Sequence, residues 1–201
     1  MIDRHFDTVV FDVGGVLVEW DPRHVYRTLL DDDAAIDAFF ARVPILEHNF
    51  RDNDRGVPIA TTVETLCAAH PDDHALITAW GDRLADMLVP LDDVIAVVDE
   101  LHERGIRLLL LSNAPVENAA ITRSYPFCAR FAGGVFSGEE GVVKPEREIF
   151  DVLIERFDVD AKRAVFVDDK EPNVRAAEAL GFQGIVFRDA DQLRRELGLS
   201  D

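Results

Sequence analysis

Short apolar runs recur along this chain, and the stretches between them carry apolar residues at helical spacing. Thr8-Val9-Val10-Phe11, Ile106-Arg107-Leu108-Leu109-Leu110-Leu111 and Ala164-Val165-Phe166-Val167 are nearly continuous and rich in strand formers, the pattern of strands covered on both faces. Gly134-Val135-Phe136 and Gly184-Ile185-Val186-Phe187 predict two weaker strands. Residues 92–104 place Val94, Val97, Val98 and Leu101 on one helical face and stop at Gly105, a residue suited to a left-handed cap. Residues 172–180, opened by Pro172 and closed by Gly181, predict another helix ahead of the last strand. Strands and helices in alternation predict an α/β fold with a doubly wound, mainly parallel sheet.

One segment breaks the alternation. Residues 20–88 show helical patterns and no buried strand run, which predicts an inserted α-helical unit. Asp21-Pro22 is a helix start, residues 72–87 predict a further helix, and Asp31-Asp32-Asp33 marks a solvated helix boundary. The expected division is a core of residues 1–19 and 89–201 with the helical insertion at 20–88.

The 201 residues are 48% hydrophobic and 30% charged, an ordinary globular balance that excludes disorder and fibrous classes. With 39 acidic against 21 basic side chains the formal charge is −18, and no basic patch offsets it, so neither nucleic acid nor an anionic membrane is an expected partner. Only Lys144, Lys162 and Lys170 are lysines, which makes any lysine in a loop notable. Cys67 and Cys128 stand far apart without metal-like spacing and indicate neither a disulfide framework nor a zinc site. Met1-Ile2-Asp3-Arg4-His5 lacks the basic start and apolar stretch of a signal peptide, and no run approaches a membrane span, so the expected location is cytoplasmic.

In a doubly wound sheet, ligands bind outside the carboxyl ends of the strands. The first predicted strand runs into Asp12-Val13-Gly14-Gly15, the second into Ser112-Asn113 and the fourth into Asp168-Asp169, while Gly141-Val142-Val143-Lys144-Pro145-Glu146 lies ahead of that fourth strand. Each piece alone has a plain structural explanation: an aspartate caps a turn, Ser112-Asn113 caps the next helix, and Lys144 pairs with Glu146 or Glu148. Together, three carboxylates at one sheet edge repel one another and require a proton or a cation. Magnesium suits oxygen ligands and is usually completed by a substrate phosphate, with Asp12, Asp168 and Asp169 as the expected ligands. Backbone at Gly14 and Gly15 would face phosphate oxygens, Lys144 would supply positive charge, and Ser112 and Asn113 would donate hydrogen bonds to the same oxygens.

In this order the residues resemble the haloacid dehalogenase superfamily, mostly magnesium-dependent phosphatases. Their pattern is an aspartate after the first strand, then serine or threonine, then lysine, then an acidic pair. Here it reads Phe11-Asp12-Val13-Gly14-Gly15-Val16-Leu17, Leu111-Ser112-Asn113, Val143-Lys144-Pro145-Glu146 and Phe166-Val167-Asp168-Asp169, with Asn173 four residues later as a supporting residue. The insertion resembles the small helical cap of the same family, and Trp20-Asp21-Pro22-Arg23 and Asp54-Arg55-Gly56 are similar to cap stretches of sugar-phosphate (glucose-1-phosphate-like) phosphatases. The resemblance implies a Mg2+ cofactor, a small-molecule phosphate ester as substrate, and catalysis in which Asp12 attacks phosphorus and water hydrolyses the aspartyl-phosphate.

The chain departs from that pattern at one place. The family pattern usually has a second aspartate two residues after the nucleophile, acting as general acid and base, and this chain has Gly14. The Gly14 carbonyl still suits the metal, but the proton transfer is unassigned. A good leaving group, water, a nearby carboxylate such as Glu19 or Asp21, or slow turnover would each account for this.

Three rivals are weighed. A 2-haloacid dehalogenase-type hydrolase shares the fold but needs no bridging cation, which leaves Asp168-Asp169 without a task. A phosphoacceptor receiver domain has its acidic pair after the first strand, the wrong order here. A catalytically weak phosphate-binding relative follows from Gly14 alone. Arg23, Asn49, Asp54 and Arg55 are candidate cap contacts, and His24 and His48 are secondary ones. The remaining histidines read as surface or packing residues.

Overall fold

The computed structural model describes residues 6–199, so the opening Met1-Ile2-Asp3-Arg4-His5 considered above lies outside the described residues. In chain order the elements are β1 (Thr8–Phe11), β2 (Val18–Trp20), α1 (Arg23–Tyr26), α2 (Asp33–Arg42), α3 (Ile45–Arg51), α4 (Ile59–Ala69), α5 (His74–Asp82) and β3 (Leu88–Pro90). They continue with α6 (Asp92–Glu103), β4 (Arg107–Ser112), α7 (Val116–Ser124), β5 (Gly133–Phe136), α8 (Ser137–Glu140), α9 (Arg147–Phe157), β6 (Ala164–Asp168), α10 (Glu171–Ala179), β7 (Gln183–Val186) and α11 (Ala190–Leu197).

Five strands form one parallel sheet in the order β5-β4-β1-β6-β7. The period of two along β1 explains its central place: Val9 and Phe11 point into one apolar cluster with α6 and α11, while Val10 points into the other with α9 and α10. β1 is flanked by β4 and β6, so the chain reverses its direction of travel across the sheet at β1. The crevice of a doubly wound fold opens at such a switch point.

The helical segment packs on its own apolar cluster, which includes Tyr26, Phe39, Ile77 and Trp80. Asp32 caps α2 by accepting from the Ala35 N–H at 2.8 Å, as expected of the acidic run at 31–33. Asp21 accepts from the Arg23 N–H at 2.9 Å, but the helix it starts is only four residues long. The single helix expected over 72–87 is instead a 3-10 turn, α5, and a second 3-10 turn at Leu84–Met87. The interruption falls where Arg83 bonds Asp86 and Thr28 rather than continuing the helix surface.

Two short strands were not predicted. β2 and β3 pair antiparallel, with Glu19 opposite Val89 and Trp20 opposite Leu88, so both expected junctions of the insertion fall on one two-stranded ribbon. At three residues each they are too brief for a period of two to show.

Helix α10 lies tightly on β7 at Gly184, where an added Cβ would stand 2.4 Å from Val174 Cγ1 and 2.8 Å from Glu178 Oε1. Gly184→Ala is expected to destabilise the fold by about 1–3 kcal/mol, because neither helix nor strand can yield without disturbing the sheet. The midpoint of urea unfolding measures this, and an unchanged midpoint would show that α10 moves freely.

Candidate active site

The loop after β1 is built by its own backbone. The Asp12 N–H bonds the Val167 carbonyl at 2.9 Å, and the Val13 carbonyl accepts from Leu17 at 2.8 Å and Val18 at 3.0 Å, folding the chain back toward the ribbon. Gly15 has φ +81°, and a Cβ there would stand 2.9 Å from Asp169 Oδ2, so the Asp169 carboxylate lies directly against this glycine. Gly14 differs: a Cβ there would meet only Trp20 Cβ at 3.8 Å, an ordinary contact.

Lys144 is the centre of the site, with only 3% of its surface exposed. Its ammonium lies 2.9 Å from Asp12 Oδ1 and donates to Asp168 Oδ2 at 2.7 Å and the Leu111 carbonyl at 2.8 Å. Those three partners end β1, β6 and β4 respectively, and they account for its three N–H groups. Asn113, expected to donate to phosphate, instead clamps the Lys144 backbone: its Oδ1 accepts from the Lys144 N–H at 2.7 Å and its Nδ2 donates to the Lys144 carbonyl at 2.9 Å. A side-chain amide matches a peptide's donor and acceptor together, which makes it a brace for the lysine. Ser112 lies buried beside it and lines the same cavity.

The acidic residues differ in depth. Asp168 is fully buried and heavily hydrogen-bonded, its oxygens accepting from Lys144, from the Lys170 N–H at 2.8 Å, and from Asn173 Nδ2 at 3.0 and 3.1 Å. Asp12 Oδ1 takes the Val13 N–H at 2.7 Å as well as Lys144, which leaves Oδ2 for chemistry. Asp169 stands at the exposed rim. Burial pushes the Asp12 carboxyl up to about 6 against the pull of Lys144, with the charge of Asp168 adding to the rise. Burial also raises Asp169. Burial acts to lower Lys144, but the charges of Asp12 and Asp168 outweigh it and hold the ammonium above its ordinary range.

These residues fit a divalent cation. Asp12, Asp168 and Asp169 each offer an oxygen within 4.8 Å of the others. Set against one buried lysine, three ionised carboxylates leave two negative charges, and carboxylate oxygens suit a hard cation.

A cavity of about 410 Å³ covers this sheet edge, and the helical segment supplies its other wall through Trp20, Asn49, Phe50 and Asp54. Trp20 and Phe50 meet edge-on with ring centroids 5.5 Å apart, and Phe50 remains 53% exposed at the mouth. Of the expected cap contacts, Asn49 and Asp54 line the cavity, whereas Arg23 pairs with Asp37, Arg55 with Glu146 at 2.5 Å, and His48 with Asp52 at 2.8 Å. The sequence reading missed Trp20 as a wall, Phe50, Asn118 and Lys170. Lys170 alone carried a signal, being one of three lysines and adjacent to the acidic pair.

A family model described as haloacid dehalogenase-like hydrolase matches residues 6–181. The sesquiterpene phosphatase astK of Aspergillus oryzae is 27% identical over 198 residues, covering 92% of this chain and 91% of that protein. Among solved structures, the HAD family enzyme bt-2542 of Bacteroides thetaiotaomicron, in complex with magnesium and inorganic phosphate, superposes with a TM-score of 0.70 at 21% identity, covering 94% of this chain and 98% of that one. The L-2-haloacid dehalogenase of Xanthobacter autotrophicus does so at 0.66 and 19% identity, covering 98% of this chain and 84% of that one. Structural likeness at these identities establishes the shared fold and does not choose between them. The family match spans both the sheet and the helical segment, from β1 into the end of α10, and on it the chain belongs to the haloacid dehalogenase-like hydrolases.

Proposed function

We propose that this hydrolase is a magnesium-dependent phosphomonoesterase working through an aspartyl-phosphate on Asp12, with residues 20–88 as its cap. The observation that carries the reading is the three-carboxylate cluster with a single buried lysine, whose surplus charge displacement of a halide would leave unexplained. Asp12, Asp169 and, behind them, Asp168 would hold the magnesium, with the Gly14 carbonyl beside them. Bound there, the ion supplies Lewis-acid charge stabilisation to the phosphoryl oxygens. Asp12 Oδ2 is the attacking atom, because Val13 and Lys144 fix Oδ1 and so fix the carboxylate's orientation. Ser112 and the backbone of Gly14 and Gly15 orient the phosphate, while Lys144 acts through Asp12 and by charge.

The wall beyond the phosphate site favours an apolar organic group. Trp20, Phe50, Leu88, Ala114 and Pro115 supply it, and the named substrate class of the Aspergillus oryzae relative points the same way. The sugar-phosphate resemblance rests on Arg23 and Arg55 among others, and both are tied to carboxylates outside the cavity. Polar contact to the organic group falls to Asn49 and Asn118, whose buried side-chain oxygens have no protein partner. They suit a single hydroxyl or a water near the ester.

With magnesium, isoprenyl monophosphates are expected to exceed hexose phosphates in kcat/KM, and the reverse order would restore the sugar-phosphate reading. Asp12→Asn, nearly isosteric, is expected to lower kcat by a factor on the order of 10,000 or more, as loss of a nucleophile does. EDTA should abolish phosphate release and added magnesium restore it. Halide release from a 2-haloacid that survives EDTA would overturn the proposal.

A further inference from the structure

Gly14 leaves the ester oxygen without an acid on the strand loop, and the two carboxylates expected to replace it are already paired. Glu19 lines the cavity but is more than half exposed and pairs with His24 Nε2 at 3.1 Å. Asp21 caps Arg23 and pairs with Arg27 at 3.3 Å. Asp54 differs from both. It is 6% exposed, lines the same cavity as Asp12, Gly14, Asp169 and Lys170, and makes no hydrogen bond or ion pair among the described residues.

The turn carrying Asp54 is fixed on both sides. Asn53 Nδ2 donates to the Val57 carbonyl and to Thr62 Oγ1, both at 2.8 Å. Gly56, at φ +96°, ends the turn and admits the Gly138 carbonyl to 2.7 Å from where a Cβ would stand. Arg55 grips Glu146, whose Oε2 accepts from the Val143 N–H at 3.2 Å, next to Lys144. The carboxyl of Asp54 is therefore held in register with the loop that carries the site's lysine.

We propose that Asp54 is the general acid and base of the reaction, supplied by the helical insertion in place of the carboxyl that Gly14 lacks. This rests on the aspartyl-phosphate reading. As the bond between Asp12 Oδ2 and phosphorus forms and the bond from phosphorus to the ester oxygen breaks, protonated Asp54 gives its proton to that oxygen and the alcohol leaves. The Asp54 carboxylate then takes a proton from water as the water oxygen bonds phosphorus and the Asp12–phosphorus bond breaks. Inorganic phosphate departs, with Asp12 again a carboxylate and Asp54 again an acid. Burial raises the Asp54 carboxyl to about 7, with Lys170 and Lys144 opposing the rise and Asp12 adding to it, so both protonation states are accessible near neutral pH. The room at Gly14 shows that its missing carboxyl is no steric necessity.

Asp54→Asn, assayed with magnesium, tests this. kcat/KM reads only the first chemical step, and it is expected to fall about 100- to 10,000-fold for an alkyl phosphate but less than about 10-fold for p-nitrophenyl phosphate, whose leaving group needs no proton. The variant should also release one equivalent of p-nitrophenol in a burst before slow turnover. Equal losses on both esters, no loss, or no burst would overturn the proposal. Asp12→Asn run alongside separates the two readings: activity surviving there fails the nucleophile, whereas uniform behaviour of Asp54→Asn with Asp12 essential fails Asp54 alone. Folding gives an independent readout in EDTA. A carboxyl whose pKa is raised in the fold costs stability as pH climbs from its unfolded value of about 4 through about 7, so Asp54→Asn should raise Tm more at about pH 8 than at about pH 5. A gain that does not grow with pH would also overturn it.

Discussion

A single buried ammonium closes three strand ends. Lys144 reaches Asp12 after β1, Asp168 at the end of β6 and the Leu111 carbonyl in β4, and it satisfies all three of its N–H groups in doing so. A compact ammonium on a flexible stem can meet three acceptors arranged around it, whereas a guanidinium presents its donors in one plane. Buried charge is tolerated only when paired, and removing one partner of such a set typically costs about 3–5 kcal/mol because the others stay buried and uncompensated. Stability at the sheet edge and orientation of the Asp12 carboxylate thus depend on the same atom. Asn113 serves that atom indirectly by fixing the lysine's backbone.

From this constraint follows a gradient of availability among the acids. Asp168, deepest, is the most heavily hydrogen-bonded of the three. Asp12 keeps one oxygen free, and Asp169 at the rim is the least committed. One lysine cannot neutralise three carboxylates, and the chain's formal charge of −18 offers no surrounding positive field to help. A phosphate dianion would be repelled from such a pocket unless a cation sat between it and the carboxylates. Charge balance therefore favours a cation at the same place where the carboxylate oxygens lie close enough to hold one.

The sheet was legible because its three central strands, β1, β4 and β6, are buried apolar runs, whereas the edge strands β5 and β7 are half-buried and gave weaker runs. That Asp12, Ser112, Lys144, Asp168 and Asp169 meet at one sheet edge was legible because they lie at or beside the ends of those runs, where residue type and order stand out. The helical segment was legible as helices, but most of the wall it gives the cavity was not. Trp20 and Phe50 look like ordinary apolar residues in the chain, and only the ribbon that turns Trp20 toward α3 makes them a wall. Asn113 lines the cavity as expected, but its clamp on the Lys144 backbone was not foreseen, since residue type cannot tell a ligand donor from a backbone brace. Asp54 stood only as a candidate cap contact beside Arg23, Asn49 and Arg55, and what distinguishes it is burial, a property set by Gly56, Gly138 and the Arg55–Glu146 pair acting at a distance in sequence.

The division of labour between the two walls also bears on how the cavity is filled and emptied. The sheet edge bears the proposed nucleophile, the buried lysine and the carboxylates proposed to hold the metal, while the helical wall bears the aromatic surface and a buried acid. Beyond the ribbon, the ties across the cavity include an exposed Arg55–Glu146 pair and the Ile59 N–H bonded to Glu117 Oε1 at 3.0 Å. Exposed ion pairs contribute at most about 1 kcal/mol, and one neutral-to-charged hydrogen bond adds modestly to that. Such ties are strong enough to set the register of Asp54 against Lys144 and weak enough to part when substrate must enter. Water exclusion and completion of the acid–base set would then be the same event, since swinging the helical wall away removes Asp54 together with the aromatic cover.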